Sequence, residues 1–312
     1  MERRSGAGPQ WHSAADVHAS VSPARARLLL EKALSGGFDP ASDPDRINIP
    51  AGTGHLLLMP SVLGDWTGTK VASVSPDNSA AGLPRIQATY VLMDTATLTT
   101  QALLDGSVLT ELRTPAMSAV AADHLSAPDA AHLMVFGTGP QAVAHIRAFA
   151  EIRPLTRISV VGRNPERVRA AVKQAQDWGL PAEVGSAADA GTADIIVCAT
   201  SAAEPLFDGG LVKDGACVVA MGSHETDRRE LDAALLGRSL VTVEDTATAL
   251  REAGDVVMAI SEATLREDAL VPIRSVVTGA VVRRDDRPNV FKGVGMSWQD
   301  LAVAIGVVDP DA

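Results

Sequence analysis

The sequence predicts an α/β protein, a Rossmann-type doubly wound parallel sheet joined to a second, mixed α+β unit. Three observations carry this. From His132 onward, short and wholly apolar strands alternate with helices, the pattern of a parallel sheet covered on both faces. Directly after the first of those strands stands Gly137-Thr138-Gly139-Pro140-Gln141-Ala142, a G-x-G-x-x-A run that opens a helix. Ahead of this region the strands are broken by glycine and proline turns and mixed with single helices, so they belong to a different unit.

In chain order, residues 1 to about 20 are expected to be loosely ordered. Residues 23–34 form a helix, with Ser22 as N-cap, Pro23 in the first position and Gly36-Gly37 as its stop. Residues 46–60 read as a strand, a turn at Gly52 and Gly54, and a second strand through 56–59. Short strands follow at 70–74, 90–93 and 97–104. Residues 114–125 read as an Ala-rich helix that starts at Thr114-Pro115. In the alternating region, strands are expected at 133–136, 157–161, 194–199, 216–221 and 240–243, with helices at 140–150 and 165–178. Asp227 is expected to cap the segment that begins Glu230-Leu231, and Ser297 to cap a last helix over 298–305.

Composition narrows the function classes. The 312 residues suffice for two domains. Hydrophobic residues are 46% of the chain and aromatic ones 3%, so the core is built from Ala, Val, Leu and Ile. A formal net charge of −11 argues against nucleic acid or an anionic membrane as partner. Cys198 and Cys217 both lie in apolar runs, which fits reduced thiols in a cytoplasmic protein. No C-x-x-C or His-rich cluster marks a metal site. Met1 to Gly8 are charged and then Gly-rich with no apolar stretch behind them, so no signal peptide is expected. No apolar run approaches the ~18 residues that span a bilayer.

The glycine run carries the first functional reading. Gly137 makes the tight turn, Gly139 lets backbone approach a pyrophosphate, and Ala142 lets the helix pack on the strand. The pyrophosphate meets the free N–H groups at the helix N-terminus. The next strand ends Val161-Gly162-Arg163-Asn164, where an NAD site usually has an acid for the ribose 2′-hydroxyl. Arg163, with Arg167 a turn later, suits a 2′-phosphate, so NADP(H) is favoured and NAD(H) is possible. Thr200 and Ser223 follow later strands and complete the expected cofactor edge with Asn164 and Gly293.

Several linked segments then point to one family. They are Leu58-Met59-Pro60, Lys70 followed by Pro76-Asp77-Asn78, Gly82-Leu83-Pro84, Leu109 to Thr114, the Gly137 to Ala142 loop, Arg229-Glu230-Leu231-Asp232, and Val290 to Gly295. In this order and spacing the chain resembles the ornithine cyclodeaminase/mu-crystallin family from about Arg46 to Ala304. The resemblance implies a Rossmann domain at 126–290 and a substrate-binding and dimerisation domain from 1–125 and 291–312. It implies a homodimer, a small amino or imino acid substrate, and Arg46, Lys70 and Arg113 at the substrate carboxylate. The residues agree, because Arg46 and Lys70 sit on or beside apolar strands, where a lone charge is costly. Two neighbouring arginines would also lower the pKa of Lys70, so that it could exchange a proton with nitrogen.

Departures from the family pattern refine the expectation. The acid of ornithine-cyclising members is replaced by His224, and a second acid before Met-Pro by Leu57. The usual Ser after Phe-Lys is Gly293, and the usual Thr after Gly-Leu-Pro is Arg85, which either widens anion binding or turns outward. His224 is a general acid or base, or a loop histidine that touches cofactor phosphate or backbone. The leading expectation is an NAD(P)H-dependent oxidoreductase at the C–N bond of a small α-amino or α-imino acid, with Lys70 or His224 as proton donor. The alternatives are a cyclodeaminase with recycled NAD, and a non-catalytic NADPH-binding protein.

Overall fold

In the computed structural model, which describes residues 8–312, the strands of the N-terminal third form one sheet. They are β1 (Gln10–His12), β2 (Ile47–Ala51), β3 (Gly54–Leu63), β4 (Trp66–Val74), β5 (Ile86–Asp94) and β6 (Thr100–Asp105). Their order is β1-β6-β5-β4-β3-β2, antiparallel except for β1 against β6. Gly52 and Gly64 make the first two hairpin turns at φ of +60° and +59°. Met59, Lys70, Tyr90 and Leu104 stand side by side in register and are buried. The helix Ser297–Val308 packs across this inner face and is buried on all sides through Val307.

Several expectations for this region change. Residues 10–20 are β1 and the helix Ala14–Ser20, whose Ser13 and Asp16 form a capping box. The expectations for residues 1–7 lie outside the described residues. β4 starts before Lys70, because Gly68 is not a break: a side chain there would meet the Tyr90 hydroxyl at 2.5 Å. The strand expected at 97–104 starts at Thr100, after Leu98 turns through a φ of 54°. The helix expected at 114–125 runs Gly106–Leu125, with Pro115 in its interior. Asp105 caps it by accepting from the N–H groups of Ser107 and Val108 at 3.0 and 3.2 Å. Arg113 therefore lies within the helix rather than ahead of it. Ser297 is the first residue of the last helix, and Asp43 takes over the capping by accepting from the Trp298 N–H at 2.9 Å.

The second unit follows the alternating pattern. Its strands are β7 (His132–Phe136), β8 (Arg157–Val161), β9 (Ala182–Val184), β10 (Ile195–Cys198), β11 (Cys217–Ala220), β12 (Leu240–Val243), β13 (Val271–Pro272) and β14 (Asn289–Lys292). All pairs are parallel, in the order β13-β12-β14-β11-β10-β7-β8-β9. The order reverses between β7 and β10, the switch point where doubly wound sheets bind ligands. Asp232, not Asp227, caps the helix after the Glu230 segment, accepting from the Leu235 N–H at 2.8 Å. Apart from the short segment Leu34–Gly37, which goes with the second unit, the division between units falls at Arg113/Thr114 and Gly295/Met296. β14 belongs to the parallel sheet, so the C-terminal boundary lies beyond 290/291.

Candidate active site

The second unit carries the glycine loop. β7 ends at Phe136, and the chain turns through Gly137 at φ +121°, where a side chain would strike the Ala199 carbonyl at 2.4 Å. Thr138 packs against Gly162, where a side chain would meet its methyl at 2.9 Å. Gly139 is the N-cap of the helix Pro140–Ala150 and offers no capping side chain, so the helix N-terminus faces outward with its dipole uncapped by a side chain. A side chain at Gly139 would meet nothing within 4 Å, which leaves the open approach that a pyrophosphate needs. Ala142 is buried under the turn. These residues fit a dinucleotide.

At the end of β8, Arg163 and Arg167 are exposed. The Asn164 side chain is spent as an N-cap, accepting from Glu166 and Arg167 N–H groups at 2.9 and 3.1 Å. Past β10 and β11, the buried Glu230 ties two loops together. It accepts from the Thr200 N–H and hydroxyl at 2.8 and 2.7 Å and from the Gly222 N–H at 2.8 Å. Burial raises its pKa, opposed by Lys292 and these hydrogen bonds. Lys292 pairs with Asp255 at 2.9 Å and donates to the Ser223 carbonyl at 2.6 Å, all of it buried. Asp255 in turn accepts from the Glu230 and Leu231 N–H groups. Gly222 and Ser223 are thus clamped, and His224 beside them is exposed. Glu244 accepts from the Val294 and Gly295 N–H groups at 2.8 Å and fixes the turn after Gly293.

The first unit holds a buried cationic cluster. Lys70 Nζ donates to Asp300 Oδ1 and Oδ2 at 2.9 and 2.8 Å and to Thr110 Oγ1 at 2.9 Å. Arg113 Nε lies 3.8 Å from Asp300, and Arg113 also donates to Gln299 at 3.2 Å. The Lys70 pKa falls to about 8, chiefly because the ammonium is buried; Asp300 resists this, while Arg113 and Arg46 add to it. The direction is the one expected from sequence, but burial outweighs the arginines. Tyr90, beside Lys70 in register, has a buried hydroxyl with no hydrogen-bond partner among the described residues. Asp43 is pushed up to about 6 by burial, against its bonds to Ser61 and the Trp298 N–H. Leu57 stands on the same sheet face as Met59.

The structure thus gathers Arg46, Lys70 and Arg113 on one unit and the glycine loop, Arg163, Arg167, Thr200, Ser223, His224 and Gly293 on the other. Sequence reasoning missed Asp300, Asp43, Asp255, Glu244 and the roles of Glu230 and Lys292. The available signal was an ionisable residue inside an apolar segment, as in Gly254-Asp255-Val256-Val257 and Gln299-Asp300-Leu301-Ala302.

Residues 17–310 match the ornithine cyclodeaminase/mu-crystallin family. The chain is 32% identical over 311 residues to the Delta(1)-pyrroline-2-carboxylate reductase of Colwellia psychrerythraea, covering 95% of this chain and 98% of that protein. The solved Delta(1)-pyrroline-2-carboxylate reductase of Thermococcus litoralis, in complex with NADH and L-proline, superposes with a TM-score of 0.89 at 27% identity, covering 96% of each chain. The iminosuccinate reductase of Paracoccus denitrificans, in complex with NAD+, gives a TM-score of 0.90 at 27% identity, covering 97% of this chain and 96% of that one. Matched over nearly its whole length, this chain belongs to the ornithine cyclodeaminase/mu-crystallin family.

Proposed function

We infer that the protein is an NAD(P)H-dependent oxidoreductase that reduces the C=N bond of a small α-imino acid. The observation that carries this is the buried pair Lys70 and Arg113, two cations that face the one carboxylate of Asp300. Two buried cations on one carboxylate favour a further anion, and a substrate carboxylate supplies it. When bound, the nicotinamide dinucleotide supplies the hydride for the imine carbon. Arg113 and Arg46 hold the carboxylate. Lys70, poised near pH 8 by burial, gives its proton to the nitrogen. His224, exposed on its clamped loop, is the second candidate for that proton.

The exposed Arg163 in place of an acid after β8 favours NADP(H), with NAD(H) also usable. The two solved relatives hold NADH and NAD+. Leu57, where ornithine-cyclising members have an acid, counts against cyclodeamination. The outer face of the first sheet supports a homodimer. Leu58, Val71, Val91 and Leu103 are only half-buried there, and Val62 and Trp11 are 49% and 51% exposed. Both cysteines are free and buried, which supports a reducing, cytoplasmic setting.

The test is oxidation of NADPH and NADH with a panel of cyclic imino acids and of 2-oxo acids plus amine. Substrate-dependent oxidation, faster with NADPH, is expected. Tight nucleotide binding with no oxidation by any pair would contradict the reductase reading. Sedimentation of a monomer at micromolar concentration would contradict the dimer.

A further inference from the structure

We propose that Asp300 is the positioning residue of this reaction, holding Lys70 charged and aimed from a helix buried on every side. The inference rests on the role given to Lys70 above. An ammonium has three N–H donors. In Lys70 they meet the two oxygens of Asp300 and Thr110 Oγ1, at 2.8–2.9 Å. Thr110 donates its own hydrogen to the Gly106 carbonyl at 3.1 Å, so its oxygen faces Lys70 as an acceptor. The resting cluster is therefore closed, and Lys70 reaches a substrate only by exchanging one of these partners.

Asp300 is also what keeps the charge. Both side chains are almost fully buried, where an unpaired ammonium sheds its proton. The surrounding groups do not help. Arg113, from the helix Gly106–Leu125, and Arg46, ahead of β2, are cations that disfavour another. Thr110 is neutral, and Tyr90 from β5 stays a phenol, its pKa raised by burial and by Asp300 and Asp43. Asp43, pushed up to about 6, caps the same helix two residues before Asp300, and it is not among the partners of the Lys70 ammonium. Asp300 alone among these groups raises the lysine.

The experiment is D300N and D300E in the full chain, each read by the pH profile of imine reduction and by calorimetric titration of L-proline across pH. Wild type is expected to lose activity as pH rises through about 8, where Lys70 deprotonates. In D300N the limb moves down by about one unit or more, so at pH 8 the rate drops from about half of its plateau to about a tenth. L-proline affinity follows the same displaced limb. D300E restores the limb near wild type but lowers kcat, because the longer side chain shifts Nζ. A D300N limb that stays at the wild-type pH overturns the proposal. If D300N does not fold, D300E decides it: wild-type kcat in that variant overturns the aiming role. A wild type that neither reduces imines nor binds L-proline instead refutes the function proposed above and leaves the two failures distinct.

Discussion

Replacing Gly139 by Ala separates nucleotide binding from folding. Gly139 has φ −81° and ψ 176°, backbone that any residue adopts, and an added methyl meets no atom within 4 Å. Gly→Ala at such a site stabilises by about 0.4–1 kcal/mol, through a less flexible unfolded chain. For a chain of this size that raises Tm by roughly 1–3 °C. The same methyl fills the approach to the N-terminus of the helix Pro140–Ala150. Each charge-assisted bond lost there costs about 1.5–3 kcal/mol, which weakens nucleotide binding about 10- to 150-fold. Gly137→Ala behaves oppositely in stability. Its φ of +121° strains an L-residue, and the methyl would lie 2.4 Å from the Ala199 carbonyl, which is backbone and does not swing away. G137A therefore loses stability and binding together. Thermal unfolding without nucleotide, paired with NADPH fluorescence titration, reads both quantities. A G139A variant that binds NADPH and NADH like wild type would refute the placement of the pyrophosphate.

R163A is expected to weaken NADPH binding about 10- to 100-fold and leave NADH unchanged, since a lost charge-assisted bond to phosphate costs about 1.5–3 kcal/mol; equal loss for both removes Arg163 from cofactor choice. K292M leaves Asp255 as a lone buried charge and should lose about 3–5 kcal/mol in urea unfolding. The double variant K292M/D255N should recover part of it, and additive losses would contradict the pairing. Burial pushes the His145 imidazole down to about 4, so between pH 6.5 and 4 the unfolded chain takes up a proton that the folded one refuses. Its contribution is complete above pH 6.5 and is lost as pH falls through that window, about 3 kcal/mol in all. H145Q should show a correspondingly smaller loss of stability between pH 7 and 4, and parallel losses would refute this.

The parts legible in the sequence are those that local geometry dictates. β7, β10 and β11 read clearly because a strand buried on both faces is apolar at every position. Gly137 read clearly because its left-handed turn against the Ala199 carbonyl admits almost no other residue. Lys70 stood out as a cation on an apolar strand, while Arg113 came only with the family resemblance. Asp300 did not, although it is as buried as either. Its helix has no exposed face and hence no periodicity to mark a side, and its partner lies 230 residues away. The helix start at Gly106 was masked by Thr114-Pro115, which imitates a helix beginning, while the true cap at Asp105 closes a strand. β1 was missed because it exists only by pairing with β6, Trp11 opposite Leu103.

The central claim is net hydride transfer to an imine carbon, and the direct measurement is mass analysis of the amino acid formed from a cyclic imino acid with 4-deuterated NADPH. The account predicts one deuterium at the α-carbon and cofactor oxidised in step with product. Amino acid substrate consumed with no net cofactor oxidation and no deuterium in the product would contradict it, and would make the protein a lyase that returns its hydride.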